Sequence, residues 1–200
     1  MDKARNYVYF FGKGRAEGRA EQKDLLGGKG ANLHEMTRLR IPVPPGFTIS
    51  AEACIEYFRL GRRFPPGLWA EVETNLVKLE RAMGKRFGDP KDPLLVSVRS
   101  GARISMPGMM DTVLNLGLND GTVQGLISKS GNPRFAYDSY RRLLQMFGNV
   151  VLGIKKEAFE EPLEAKKRER GVSQDTDLSA SDLEDLVGRF QEIIRLETGQ

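Results

Sequence analysis

The chain has little of several residue types that usually carry chemistry: one cysteine, Cys54, one histidine, His34, and one tryptophan in 200 residues. A lone thiol excludes an internal disulfide and any cysteine-based zinc cluster, and it suits a reducing cytoplasm. One histidine cannot form a metal site by itself, and nothing near His34 in sequence resembles a triad. His34 therefore reads as a surface or helix-packing residue, and no nucleophile is evident. Long apolar runs are also missing. None approaches the ~18 residues of a membrane span, and the stretch Tyr7–Phe11 is too short for a secretory core. Excess charge of one sign is small, 31 basic against 27 acidic side chains for a net +4. The charges interleave, as in Lys166-Lys167-Arg168-Glu169-Arg170. Nucleic-acid binding would call for a basic face with aromatics for stacking, and neither stands out. The expectation is a solvated surface with mild affinity for small anions, and no nucleic-acid or membrane partner.

An apolar fraction of 40% and a charged fraction of 29% fit an ordinary globular domain with a core of its own. Tyr7–Phe11 predicts a strand, and the glycine- and charge-rich repeat from Gly14 to Glu21 an exposed loop. After Gly27-Gly28-Lys29-Gly30, the spacing predicts a helix from Ala31 to Leu39 with Leu33, Met36 and Leu39 on one face. Phe47–Ser50 reads as a strand, with Ser50 able to cap a helix from Ala51 to about Leu60. A further helix spans roughly Leu68 to Gly84 with Trp69, Val72, Leu76 and Leu79 on one face. Leu94–Val98 is the clearest strand, and Leu114, Leu116 and Leu118 alternate as in another. Beyond Asp120 the pattern turns helical. One helix lies between Phe135 and Val151, with Tyr140, Leu143, Leu144, Phe147, Val150 and Val151 on its apolar face. Another opens at a capping box of Ser179 and Asp182, its stripe running Leu183, Leu186, Phe190, Ile193 and Ile194. The fold class is α+β: a mixed α/β subdomain over residues 1–120, then a helical subdomain over 121–200. The last helix reaches almost to Gln200 with no closing strand, which fits a truncated domain or a natural C-terminal helix.

Gly27-Gly28-Lys29-Gly30 has the makings of a phosphate site. Glycines let the backbone approach closely, a helix start adds its positive end, and an ammonium completes it. It is not a Walker loop, because Gly30 stands where Ser or Thr is needed and Lys23 where the first Gly is needed. Nor is it a dinucleotide fingerprint, because Leu33 replaces the third glycine. Taken alone, a solvated Lys29 fits as well as a phosphate ligand. Arg99 ends an apolar strand just before Ser100-Gly101, where a guanidinium can clamp phosphate with two parallel hydrogen bonds. A structural pairing with a carboxylate fits equally. In Ser105-Met106-Pro107-Gly108-Met109-Met110-Asp111-Thr112 the methionines suit either core filling or a loop folded over a nucleotide. Arg142 points away from Tyr140 on its helix. It reads as solvated, or else as a ligand-facing arginine across a cleft.

Two of these segments together, Leu26-Gly27-Gly28-Lys29-Gly30-Ala31-Asn32-Leu33 and Pro44-Pro45-Gly46-Phe47-Thr48, resemble the N-terminus shared by phosphohistidine-swivelling dikinases. The strings Leu95–Arg103, Ser105–Thr112, Leu114–Leu118 and Asn132–Arg142 resemble pyruvate, phosphate dikinase in particular, and the likeness runs over nearly the whole chain. It implies a partial ATP-grasp-like nucleotide-binding domain using ATP with Mg2+. The parent reaction interconverts ATP, phosphate and pyruvate with AMP, pyrophosphate and phosphoenolpyruvate. ATP would deliver its β-phosphoryl group to a histidine on a swivelling domain, which carries it to a C-terminal barrel.

By this resemblance Lys29 and Arg99 contact the nucleotide phosphates, with Gly28 and Gly30 in the glycine turn. Gly108 and Met110 belong to a loop near the transferring phosphates, and Arg142 is a further phosphate or catalytic contact. Cations and backbone N–H groups are the right residue types for phosphoryl transfer. No metal ligand falls in this stretch. The acidic metal ligands, the phosphohistidine and the barrel are expected outside it, so the chain alone should be inactive. The full-length protein should be a homodimer. Two alternatives stay open: a phosphoenolpyruvate synthase, against which the Met-Pro-Gly-Met-Met loop argues, and a non-catalytic nucleotide-binding module. His34 matches no phosphohistidine motif.

Overall fold

The computed structural model describes residues 6–101 and 111–199; Gly108 and Met110 lie outside the described residues. The chain forms two compact units, one built from residues up to Gly84 and the other from Lys85–Arg99 together with residues from Asp111 on.

In the first unit the aromatic and branched run Tyr7–Phe11 gives β1 (Val8–Gly12), which hairpins into the two-residue β2 (Arg15–Ala16). α1 (Lys23–Arg38) leads to β3 (Gly46–Ile49), then α2 (Ala51–Arg59) and α3 (Leu68–Met83). The sheet is antiparallel in the order β2-β1-β3, with Val8 opposite Ile49 and Phe11 opposite Gly46. Tyr7, Val8, Ala53 and Leu68 form its core, with Phe47 and Val72 against them. The Glu71 carboxylate accepts the N–H groups of Tyr7 at 2.7 Å and Val8 at 2.9 Å, tying α3 to the start of β1.

Three expectations are corrected here. On α3 the buried positions are Leu68, Asn75 and Leu79, while Trp69 is 56% exposed and rests on the equally exposed Phe64 at 5.1 Å between rings. On α1 the inward face is Ala31, His34 and Thr37; Met36 and Leu39 are exposed. Ser50 does occupy the N-cap of α2, but its hydroxyl makes no capping bond and is buried without a partner.

The second unit pairs β4 (Val96–Arg99) with β5 (Thr112–Leu116) and adds α4 (Asp120–Ser130), α5 (Pro133–Met146), α6 (Glu157–Arg170) and α7 (Ala180–Thr198). Local chemistry sets the boundaries. Asn119 caps α4 by accepting the N–H groups of Gly121 and Thr122, Asn132 caps α5 ahead of Pro133, and Ser179 with Asp182 closes the expected capping box on α7. Leu143, Phe159, Leu163, Leu183, Leu186 and Phe190 fill the core. Phe159 and Phe190 meet edge to face at 5.1 Å.

The sequence grouped the strand pair with the mixed region up to residue 120. Here β4 and β5 belong with the helices, because Leu95, Val113 and Leu116 feed the same core as Leu143 and Phe190. The alternation of Leu114, Leu116 and Leu118 does not hold. Asn115 adopts a left-handed φ of 60° and Gly117 one of 117°, so Leu114 faces outward while Val113 and Leu118 are buried. α5 passes into a π-helical turn over Phe147–Val151, which carries Val151 off the buried face.

Candidate functional site

Glycine at position 27 decides the shape of α1. Its φ of 69° and ψ of 161° suit a residue without a Cβ and break the helix after one turn. The helix resumes at once, so Gly28, Lys29 and Gly30 form its opening turn, in place of the expected loop followed by a helix from Ala31. An opening turn supplies backbone N–H groups and the positive end of the helix dipole. Lys29 is exposed, and among the described residues it makes no ion pair. Gly30 has a packing role as well: a Cβ there would lie 2.9 Å from Thr48 Cγ2, so α1 approaches β3 closely only with glycine at this position.

Arg99 is the last residue of β4, paired with Thr112 of β5. The strand is shorter and more open than its apolar run suggests. Leu94, just before it, is buried, whereas Val98 is 49% exposed. Arg99 is itself exposed, and among the described residues no carboxylate lies within ion-pair distance of it. The structural pairing weighed against a phosphate role thus has no partner there. Lys29 belongs to the first unit and Arg99 to the second.

Arg142 projects from α5 with 55% of its side chain exposed and pairs with Asp138 at 3.0 Å. Its neighbour Arg141 is 2% exposed and serves the fold: it binds Asp138 at 2.7 Å, Asp175 at 3.3 Å and Gln145 at 3.1 Å. Arg134 adds bonds to the carbonyls of Leu178 and Asp175, so α5 is stapled to the segment leading into α7. The signal for Arg141 was its position, four residues after Tyr137 and three before Leu144, on the inward face.

A second polar cluster also went unread. The Tyr140 hydroxyl donates to Asp120 at 3.1 Å, and Gln191 donates to both Asp120 and Tyr140. Burial, reinforced by Asp120, pushes the Tyr140 phenol up to about 12, so it keeps its proton well into the alkaline range.

His34 is fully buried in α1, edge-on to Phe11 at 5.0 Å. Of its two expected settings, the helix-packing one is found. Burial lowers its pKa to about 4, against a weaker upward pull from Glu17. Among the described residues no group of three or more His, Cys, Asp or Glu side chains could hold a metal ion, and no helix is long and apolar enough to cross a membrane.

Residues 23–62 match the family model described as the pyruvate phosphate dikinase AMP/ATP-binding domain. The chain is 59% identical over 186 residues to pyruvate, phosphate dikinase 2 of Zea mays, a match covering 93% of this chain and 21% of that protein. It is 59% identical over 190 residues to the chloroplastic pyruvate, phosphate dikinase of Flaveria trinervia, covering 95% of this chain and 20% of the relative. For the chloroplastic pyruvate, phosphate dikinase 1 of Arabidopsis thaliana the identity is 57% over 197 residues, covering 98% and 20%. The chain therefore spans about a fifth of the length of the curated relatives it matches.

Proposed function

We propose that this chain, whose relatives are pyruvate, phosphate dikinases, forms part of the ATP-binding, ATP-grasp-like domain of such an enzyme. In that enzyme ATP, phosphate and pyruvate are interconverted with AMP, pyrophosphate and phosphoenolpyruvate through a phosphohistidine. The observation that carries the reading is 59% identity over 93% of the chain. The match of residues 23–62 to an AMP/ATP-binding domain supports the nucleotide as the ligand of this portion.

Lys29 and Arg99 are the phosphate ligands in this reading. Their exposure and lack of ion pairs among the described residues support it, because a cation already neutralised has less to offer an incoming anion. Lys29 supplies a point charge beside the opening-turn N–H groups of Gly28 and Gly30. Arg99 supplies a planar fork that can hold two phosphate oxygens. By the resemblance, Gly108 and Met110, outside the described residues, are assigned a contact with the transferring phosphates. Arg142 is a further contact that would exchange Asp138 for phosphate. Phosphoryl transfer depends on positioning and charge neutralisation, which these groups provide.

ATP is expected to bring Mg2+. The described residues offer no cluster to hold it, so the steps assigned to this chain belong to its cations and backbone N–H groups. The phosphohistidine-bearing swivelling domain, the barrel and the homodimer contacts are assigned to polypeptide beyond this chain. A reducing cytoplasm suits the exposed thiol of Cys54.

The test is transfer of label from ATP to a histidine in the full-length protein that carries this chain. Label from the β position, with turnover dependent on added phosphate, is expected. Turnover that needs no phosphate would instead mark a phosphoenolpyruvate synthase, and the proposal would fall.

A further inference from the structure

We propose that the first unit carries a second anion site, for a small phosphate anion bearing at least two negative charges, between the β1–β2 turn and the C-terminal end of α1. The inference stands whether or not Lys29 and Arg99 hold a nucleotide. An open depression of about 480 Å³ lies there, lined by Lys13, Arg15 and Arg40, with Ile41 and Val43 as an apolar wall. That volume falls in the range of small-ligand clefts. No carboxylate lines the depression, and among the described residues none of the three cations makes an ion pair. Within the same unit Lys78 pairs with Glu17, Arg38 with Glu35 and Arg59 with Glu56, while Arg19, Lys23, Lys29, Arg62, Arg63 and Arg81 make no ion pair among the described residues; what sets Lys13, Arg15 and Arg40 apart is that they line one depression.

The backbone positions of two of these cations carry the argument. Gly12 pairs with Arg15, so Lys13 and Gly14 form a two-residue hairpin turn with φ values of 52° and 75°. Such a turn favours Asn or Gly at its first position. Arg40 follows the end of α1 at φ 60°. Its N–H bonds the Thr37 carbonyl at 3.1 Å, and the Ile41 N–H bonds that of Met36 at 2.9 Å. This is the helix stop at which glycine is usual. Both turns would form more readily with glycine, and neither uses the cationic side chain for its own hydrogen bonds. The fold thus accepts left-handed strain twice to present cations at the rim of one depression. Arg62 is left-handed too, at φ 63° after α2 and outside the depression, so it is the meeting of two such cations with Arg15 on one depression, and not the strain by itself, that points to a site. Three cations drawn from two separate segments suit a multiply charged anion better than a single carboxylate.

Titration of the chain with inorganic tripolyphosphate, followed by calorimetry, tests the proposal. Lys13→Gly combined with Arg40→Gly should weaken binding by about tenfold or more. The same variant should melt at an equal or higher temperature, since glycine relieves the left-handed strain. Arg40→Lys should retain most of the affinity, and Lys29→Ala should leave binding at this site intact. Unchanged affinity in the double glycine variant would overturn the proposal. So would loss of all binding in Lys29→Ala, which would send the anion to the nucleotide site. An equal loss in Arg19→Ala, a substitution outside the depression, would mark a diffuse surface effect and overturn it as well.

Discussion

The backbone N–H of Gly18 donates to His34 Nδ1 at 3.0 Å, inside a site where the imidazole has no exposure to water. With Nδ1 accepting, the ring proton sits on Nε2 and the ring is neutral. Protonating Nδ1 would destroy that bond and bury a charge. The folded pKa of about 4 lies below the ordinary 6.5. The contribution to stability is therefore complete above about pH 6.5 and is lost as the pH falls towards 4. Urea midpoints measured across this window should decline in the parent. They should decline less steeply in His34→Gln, which keeps an acceptor but does not titrate. Parallel slopes would remove His34 as the cause.

Gly30→Ala separates packing from ligand binding in α1. The added methyl would meet Thr48 Cγ2 at 2.9 Å, so α1 and β3 must part. Overpacking of this kind costs about 1–3 kcal/mol. Combining the change with Thr48→Ala should recover much of the loss in chemical denaturation, whereas a helix-propensity gain alone would make Gly30→Ala stabilising.

Arg141→Ala and Arg142→Ala should behave very differently although they are adjacent. Removing Arg141 takes the buried guanidinium from Asp138 and Asp175, which keep Arg142 and Lys167, and should destabilise the second unit by about 1.5–3 kcal/mol. Removing the exposed Arg142 should cost at most about 1 kcal/mol. Unfolding curves of the two variants check this, and similar losses would contradict the division of roles.

In the full-length enzyme, Arg99→Ala should slow the ATP partial reaction by roughly two to three orders of magnitude, the equivalent of ~2.7–4 kcal/mol of transition-state stabilisation. The partial reaction from phosphoenolpyruvate to the phosphohistidine should stay near the parent rate. Equal losses in both, with a lower melting temperature, would mark Arg99 as structural.

The 200-residue polypeptide expressed by itself should form no phosphoenolpyruvate from ATP, phosphate and pyruvate. Its one histidine is buried, hydrogen-bonded and held neutral, so that imidazole is not placed to carry the phosphoryl group. Product from the purified polypeptide would refute this.

Features set by local chemistry were legible in the sequence. The strand around Tyr7–Phe11, the Ser179–Asp182 cap and the stripe Leu183, Leu186 and Phe190 follow from neighbours a few residues apart. Features set by distant partners were not. Apolar spacing put Met36 and Leu39 inside α1, but Gly18 rewards burial of His34, and Thr37 returns its hydroxyl to the Leu33 carbonyl at 2.8 Å. α6 was hidden because its charges outnumber its buried positions. Lys166 is buried there only because Asp185 and Glu169 meet it at 2.7 and 3.1 Å. At the candidate site, the exposure of Lys29 and Arg99 could be anticipated. The absence of any carboxylate beside Arg99 among the described residues could not, since it depends on what else the fold brings near.

The half-exposed Trp69, leaning on Phe64 and through it on Tyr57, is the only indole in the chain. It sits in the first unit, and the second unit has none. Emission excited at the indole band thus watches one half of the polypeptide and is blind to the other, while circular dichroism sees the helices of both. A melt followed by both signals would reveal whether the halves come apart together or in turn, without any added label.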